Sequence, residues 1–171
     1  MGPETLARIA GDEAVEWGGV RYLALLTPEQ TGGAMSITTA TSPPASGPPL
    51  HIHHDADEVF VIHAGRHLFQ LEDEQFEKGP GETVFVPRGK AHTFQILGTE
   101  TAHHTIILTP GGFEGFFHEM AKRGCRIPQD MDEVVAVAET FHLTFTGPPL
   151  GLRSRFFASL EMTLAKLGCL S

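Results

Sequence analysis

Between residues 50 and 110, turn signals recur so often that no helix of ordinary length fits between them. Ala64-Gly65, Lys78-Gly-Pro-Gly81, Pro87-Arg-Gly89 and Leu97-Gly98 cut this stretch into short runs around His51–His53, Glu58–His63, Arg66–Leu71, Thr83–Val86, His92–Ile96 and His103–Thr109. Short runs rich in β-branched and aromatic residues, bounded by Gly and Pro and without a 3.6-residue period, read as strands. Many such strands in succession imply an antiparallel sandwich or barrel. Upstream, Val20–Leu26 and Ala34–Thr41 read the same way. The segment Ser42-Pro-Pro-Ala-Ser-Gly-Pro-Pro49 is excluded from helix and central strand by its prolines, which lack a donor and fix φ, and is expected to be an extended, mobile loop.

Pro110-Gly-Gly112 ends this pattern and the period changes. Phe113, Phe116, Phe117 and Met120 share one helical stripe. Val134, Val135, Ala138 and Phe141 share a second, behind an expected Asp130 cap with Glu133 three residues on. Leu152, Phe156, Leu160, Leu164 and Leu167 form a third that stops at Gly168. At 171 residues the chain has room for one domain with an appendage. The expected organisation is therefore an all-β barrel over residues 1–111 and an amphipathic helical extension over residues 112–171, packed on the barrel or on a second subunit. The terminal stripe suggests a homodimer.

Composition narrows the partners. A formal charge of −9 disfavours nucleic acid and anionic membrane surfaces, which select for Lys and Arg, and leaves a small molecule as the expected ligand. No apolar run approaches the roughly 18 residues needed to span a bilayer. The opening Met1-Gly-Pro-Glu-Thr5 lacks the basic and apolar parts of a secretory signal. Cys125 and Cys169, the two cysteines, suit a reducing, cytoplasmic setting rather than a disulfide framework. The anomaly is histidine: there are 10, against 12 Lys and Arg together, so their positions must be read.

His51 and His53 stand at i and i+2 and so share one face of a strand, close enough for two rings to close on one ion. Glu58 is at an odd offset from them and would face away on a continuous strand. The polar segment His54-Asp-Ala-Asp57 must turn or bulge to bring its carboxylate round. Further on, Gly81-x5-Pro87-x-Gly89-x2-His92 supplies a strand, a tight turn and a histidine opening the next strand. Three imidazoles and one carboxylate suit a single divalent transition metal, with Fe, Ni, Mn, Co and Zn all open. The first spacing arises by chance in roughly one such chain in twenty and the second in about one in a hundred, so their conjunction in this order is specific.

Pro49-Leu-His51-Ile-His53-His-Asp-Ala-Asp-Glu58, with Gly65 seven positions later, resembles the first motif of the cupins, and Gly81 to His92 resembles the second. With their neighbouring strands the motifs cover about residues 34–109, the first lying at 49–65 and the second at 81–96. The resemblance implies a double-stranded β-helix, a jelly-roll barrel, holding a metal through His51, His53, Glu58 and His92. The sequence departs from the pattern twice. Ile96 stands where the fuller second motif has Asn, and Gly47 precedes His51 by four residues where six is usual. Pro110–Phe117 and Phe145–Leu150 are similar to the tail of single-domain cupins related to quercetin dioxygenase. That similarity implies oxygen-dependent ring cleavage, with Glu58 also serving as catalytic base.

Phe60, Phe69, Phe94 and Ile96, with Ile62, Leu71 and Phe85, are expected to give an apolar lumen suited to an aromatic or enolic substrate. Met35 and Ile37 are placed at its mouth. His67 alternates with Phe69 and Leu71 and reads as a core histidine or as a pocket contact. His54 and His63 are expected to face outward, one of His103 and His104 inward, and His118 and His142 to lie on the surface. Three function classes follow: a metal-dependent dioxygenase; an isomerase, lyase or decarboxylase using the same metal; and a non-catalytic small-molecule-binding barrel.

Overall fold

The computed structural model describes residues 14–151. In chain order it contains β1 (Val15–Trp17), β2 (Val20–Leu26), a one-turn helix α1 (Pro28–Thr31), β3 (Ser36–Ser42), β4 (Leu50–His53), β5 (Asp57–Ala64), β6 (Arg66–Leu71), β7 (Glu74–Lys78), β8 (Thr83–Val86), β9 (His92–Leu97), β10 (Ala102–Thr109), α2 (Glu114–Arg123), α3 (Met131–Thr140) and β11 (Leu143–Gly147). The strands form two antiparallel sheets, ordered β1-β2-β3-β10-β5-β8 and β11-β4-β9-β6-β7. The two antiparallel sheets are what the turn spacing predicts, and their order agrees with the jelly-roll form that the resemblance implies.

Period-two burial decides which residues enter the barrel. On β3 Ser36, Thr38, Ala40 and Ser42 are buried while the residues between them are not, and on β5 the inward set is Glu58, Phe60 and Ile62. On β10 it is Ala102, His104, Ile106 and Leu108. Ile37 therefore lies on the opposite face of β3 from the barrel interior, which corrects its expected place at the mouth. Phe85 is corrected for the same reason: Val84 and Val86 take the inward positions of β8, and Phe85 is 58% exposed. In a strand a one-residue displacement moves a side chain to the other face.

A second core joins the helices to the barrel. α2 buries Phe116, Phe117 and Met120, and α3 buries Val134, Val137 and Ala138. These pack with Leu143, and Trp17, Tyr22 and Phe145 close the cluster from the strands. Val137 replaces Val135, which is half-buried, as the inward residue of α3. The expected cap at its start is also different: the Asp130 carboxylate accepts a hydrogen bond from the Arg126 N–H at 2.8 Å, and Glu133 accepts one from Arg123.

The stretch after residue 111 is not wholly helical. β11 pairs with β4 in the second sheet, Leu143 opposite His53 and Phe145 opposite His51. The barrel therefore extends past the expected boundary, and the returning strand lies beside the first two candidate ligands. The Leu152–Leu167 stripe, Gly168 and Cys169 lie outside the described residues. Among the described residues no helix is long and apolar enough to cross a membrane.

The proline-rich segment at 42–49 is tied down rather than free. The Ala45 N–H donates to the Ile96 carbonyl, the Ile96 N–H to the Ser46 carbonyl, and the Thr93 hydroxyl to the Pro48 carbonyl at 2.6 Å. Both departures from the motif pattern meet here. Ile96 buries its side chain while its backbone pins the segment, and a Cβ at Gly47 would stand 1.9 Å from the Phe94 carbonyl oxygen. Gly47→Ala should therefore cost about 2 kcal/mol through forced displacement of β9, read as a fall of roughly 4–8 °C in thermal midpoint. Gly79→Ala, where the nearest atom is a flexible Glu82 carboxylate oxygen at 3.9 Å, should change the midpoint little and serves as the control.

Candidate metal centre

Three strands from both sheets bring the candidate ligands together. β4 carries His51 and His53 on its inward face, β5 carries Glu58, and β9 opens with His92 directly opposite His51. Residues 54–56 leave the strand, which resets the alternation so that Glu58 turns inward. Two contacts fix that reset. The Gly89 N–H donates to the His53 carbonyl at 2.7 Å. Arg88 donates from its backbone N–H and its guanidinium to the Asp57 carboxylate, at 2.8, 3.1 and 2.9 Å. These bonds hold the Asp57 carboxyl at a pKa of about 2, with the residue beside it committed to the interior. The Pro87–Gly89 turn of the second motif thus clamps the first.

All four side chains are buried, and one ligand atom from each lies within 4.8 Å of the others. The ring centroids of His51, His53 and His92 stand 4.3–5.6 Å apart. Two of the imidazoles have their tautomers set by backbone carbonyls. The His51 Nδ1–H donates to the Pro49 carbonyl at 2.8 Å and the His92 Nδ1–H to the Lys90 carbonyl at 3.0 Å. In the neutral ring each Nε2 is then a lone pair directed at the centre.

The His92 Nε2 lies 2.7 Å from Glu58 Oε2, and the His53 Nε2 lies 3.7 Å from the same oxygen. Two lone pairs at 2.7 Å repel unless a cation, either a proton or a metal ion, lies between them. Among the described residues the His53 ring nitrogens have no hydrogen-bond partner, although both are buried. Buried ring nitrogens with no protein partner, set beside a carboxylate, are a donor set that suits a metal ion. The residues present fit a divalent transition ion with N and O ligands.

Electrostatics favour the ligating forms. Burial, reinforced by the neighbouring His92 and His53, holds His51 well below the usual imidazole range. Burial takes His53 down to about 4, against the opposing pull of Glu58. Burial would raise the Glu58 carboxyl, but the His92 hydrogen bond and the adjacent histidines outweigh it and lower its pKa. Near neutral pH His51 and His53 thus rest as neutral imidazoles and Glu58 as a carboxylate.

The centre opens into a cavity of about 400 Å³. Its walls include Phe60 and Phe94 from the expected pocket set, and also Phe113, Phe117, Phe145 and Tyr22. Phe113 stands edge-on to His53 at 4.3 Å, so the start of α2 shields the ligands from one side. Phe69, Ile96 and His67 are fully buried in the core beside the cavity rather than in its wall, and Met35 and Ile37 are not part of the wall. His104 is the inward member of the 103–104 pair and does line it, whereas His54, His63, His103, His118 and His142 are exposed.

Residues 38–108 match the family model described as a cupin domain. An uncharacterized protein of Methanocaldococcus jannaschii is 33% identical over 67 residues, 39% of this chain and 54% of that protein, so the chain matches about half the length of this relative. Among solved structures, KdgF from Halomonas sp. superposes with a TM-score of 0.54 at 13% identity, covering 61% of this chain and 91% of that one. A predicted oxalate decarboxylase from Thermotoga maritima gives 0.53 at 20% identity, covering 61% and 96%. At these identities the two structures establish the fold alone.

Two outcomes follow from the geometry. Arg88→Ala should weaken divalent-metal binding by about tenfold, because a support of this kind orients a ligand without touching the ion; isothermal titration with Zn(II) or Ni(II) reads it. The metal-free protein should lose stability on acidification. His53 has a folded pKa of about 4, below the unfolded value near 6.5, so the unfolded chain binds the extra proton between these values. Stability is then full above pH 6.5 and falls, by about 1.4 kcal/mol per pH unit for each such histidine, as the pH drops toward 4. Urea midpoints at pH 7.5 and pH 5 measure it.

Proposed function

A cupin domain lies at residues 38–108 of this chain, and from that premise we propose that it is a metal-dependent enzyme acting on a small aromatic or enolic molecule, most simply as a dioxygenase. The reading rests on one observation: three imidazoles and a carboxylate converge at the wall of an apolar cavity in which, among the described residues, Glu58 is the sole acidic side chain and no lysine or arginine appears.

His51, His53, Glu58 and His92 would hold the ion. When bound, a divalent metal supplies Lewis acidity toward an oxygen of the substrate. The chain's own residues do the rest. Phe60, Phe94 and Phe145 present ring faces and edges to an aromatic body and exclude water from it. Glu58 would accept a proton from an acidic hydroxyl brought to the centre, with His92 Nε2 2.7 Å from its Oε2. The same proton transfer serves an isomerase, lyase or decarboxylase, so uptake of oxygen separates these classes from the first. A homodimer and a cytoplasmic setting belong to the same proposal.

The full-length protein should take up one divalent transition metal per chain by elemental analysis, and should consume oxygen when flavonols and other enolic aromatics are supplied at an oxygen electrode. Metal uptake with substrate turnover but no oxygen consumption moves the activity to the isomerase, lyase or decarboxylase class. Failure to bind metal after reconstitution overturns the reading. Glu58→Gln, which keeps an oxygen ligand but no basic carboxylate, should retain metal and lose turnover by 10²-fold or more; undiminished turnover removes the base.

A further inference from the structure

A second buried histidine cluster lies in the barrel, outside the metal centre. His104 on β10 and His67 on β6 face each other across the interior, with His67 Nε2 and His104 Nδ1 3.0 Å apart. Their ring contacts are with Phe60, Phe69 and Phe94. Both are almost completely buried, and the outer nitrogens, His67 Nδ1 and His104 Nε2, have no hydrogen-bond partner among the described residues. Burial takes His67 down to about 4 and His104, with its histidine neighbours, to about 3, so both rings are neutral at physiological pH.

Two neutral rings sharing one hydrogen bond have two arrangements. In the first, His67 donates from Nε2, and His104 must carry its own proton on Nε2. In the second, His104 donates from Nδ1, and the unpartnered proton sits on His67 Nδ1. Only His104 lines the cavity. A ligand that accepts a hydrogen bond from His104 satisfies the first arrangement and leaves just a lone pair unpartnered on His67. No ligand in the cavity satisfies the stray N–H of the second. Buried unsatisfied donors are rarer in proteins than under-used acceptors, so the first arrangement with an acceptor ligand is favoured.

The surroundings agree. Tyr22, Ala40 and His104 form one cross-strand row, Tyr22 and His104 each directly opposite Ala40, and both Tyr22 and His104 line the cavity. Ser42, two residues along β3, also lines the cavity, and its buried hydroxyl has no hydrogen-bond partner among the described residues. With no lysine or arginine in the wall among the described residues and a histidine that stays neutral, the group received is uncharged. Glu58 pairs with Leu108, four residues along β10 from His104, so the two rows are about 14 Å apart along the strand.

We propose that this end of the cavity is a subsite for a neutral oxygen acceptor, a carbonyl or ether, which takes a hydrogen bond from His104 Nε2 while His67 holds the tautomer and Ser42 offers a second donor. It rests on the reading of the cavity as a substrate site and names what the substrate carries away from the metal: an uncharged ketone, ester or ether on an apolar frame, rather than a carboxylate or phosphate.

The probe pair is 1-tetralone and tetralin, alike in shape and differing in the carbonyl, titrated into the full-length protein with and without divalent metal. Trp17, the single tryptophan and part of the cavity wall, reports binding by its fluorescence. Tetralone should bind about tenfold more tightly than tetralin with and without metal, and the ratio should approach one in His104→Phe. In ¹⁵N-histidine spectra of the unsubstituted protein, the His104 Nε2–H resonance should be present and move downfield on tetralone saturation, which decides the matter if His104→Phe does not fold. An unchanged ratio in folded His104→Phe, a His104 tautomer with its proton on Nδ1, or no tetralone binding up to its solubility limit overturns the subsite. Ketone preference in a protein that never binds metal would overturn the metal reading and leave this one standing.

Discussion

Two hydrogen-bond acceptors 2.7 Å apart in a buried site set the terms for the rest of this molecule. With its Nδ1–H committed to the Lys90 carbonyl, His92 can offer Glu58 Oε2 only a lone pair or an extra proton. Holding that contact takes three strands drawn from both sheets, β4, β5 and β9, and a reset of alternation after His53. It also takes the Pro87–Gly89 turn, whose Arg88 ties down Asp57 while Gly89 ties down His53. The fold spends polar groups on this point that an ordinary barrel interior would fill with apolar side chains.

The chain after residue 111 completes the site rather than decorating it. α2 brings Phe113 against His53, and β11 sets Phe145 in register with His51. Tyr22 stacks on Phe117 with ring centroids 3.8 Å apart, joining the β-sheet wall of the cavity to the helical cover. The resulting space is mostly apolar, with polar groups at the metal centre and at the His104 row among those in its wall. An apolar frame with an ionisable or coordinating group at one end and a neutral oxygen toward the other matches both.

Much of this was legible in the sequence because it depends on local rules. His51 and His53 share a face by period two, and turn residues fix where strands end. The elements that were missed lack those signals. β7, Glu-Gln-Phe-Glu-Lys, is an edge strand with little buried surface, so it shows no apolar alternation. β11 is as short and lies after two helices, where helical periodicity dominates the reading. Phe85 and Ile37 lie on the faces opposite to those expected because a single register step separates inside from outside, and an apolar residue is allowed on either. Gly47 looked like a displaced motif glycine; its cause, the Phe94 carbonyl, lies 47 positions away and has no local trace. His104 and His67 could be read singly as inward or core residues, but their pairing is a contact between sheets that spacing does not encode.

The central claim is that these four side chains hold one divalent ion. Anomalous diffraction from crystals of the metal-loaded protein, recorded at the absorption edge of the ion supplied, tests it directly. The account predicts a single strong peak within coordination distance of Nε2 of His51, His53 and His92 and of the Glu58 carboxylate. A peak elsewhere, or none while Glu58 and His92 keep their 2.7 Å contact, would show that a proton and not a metal bridges them, and would contradict it.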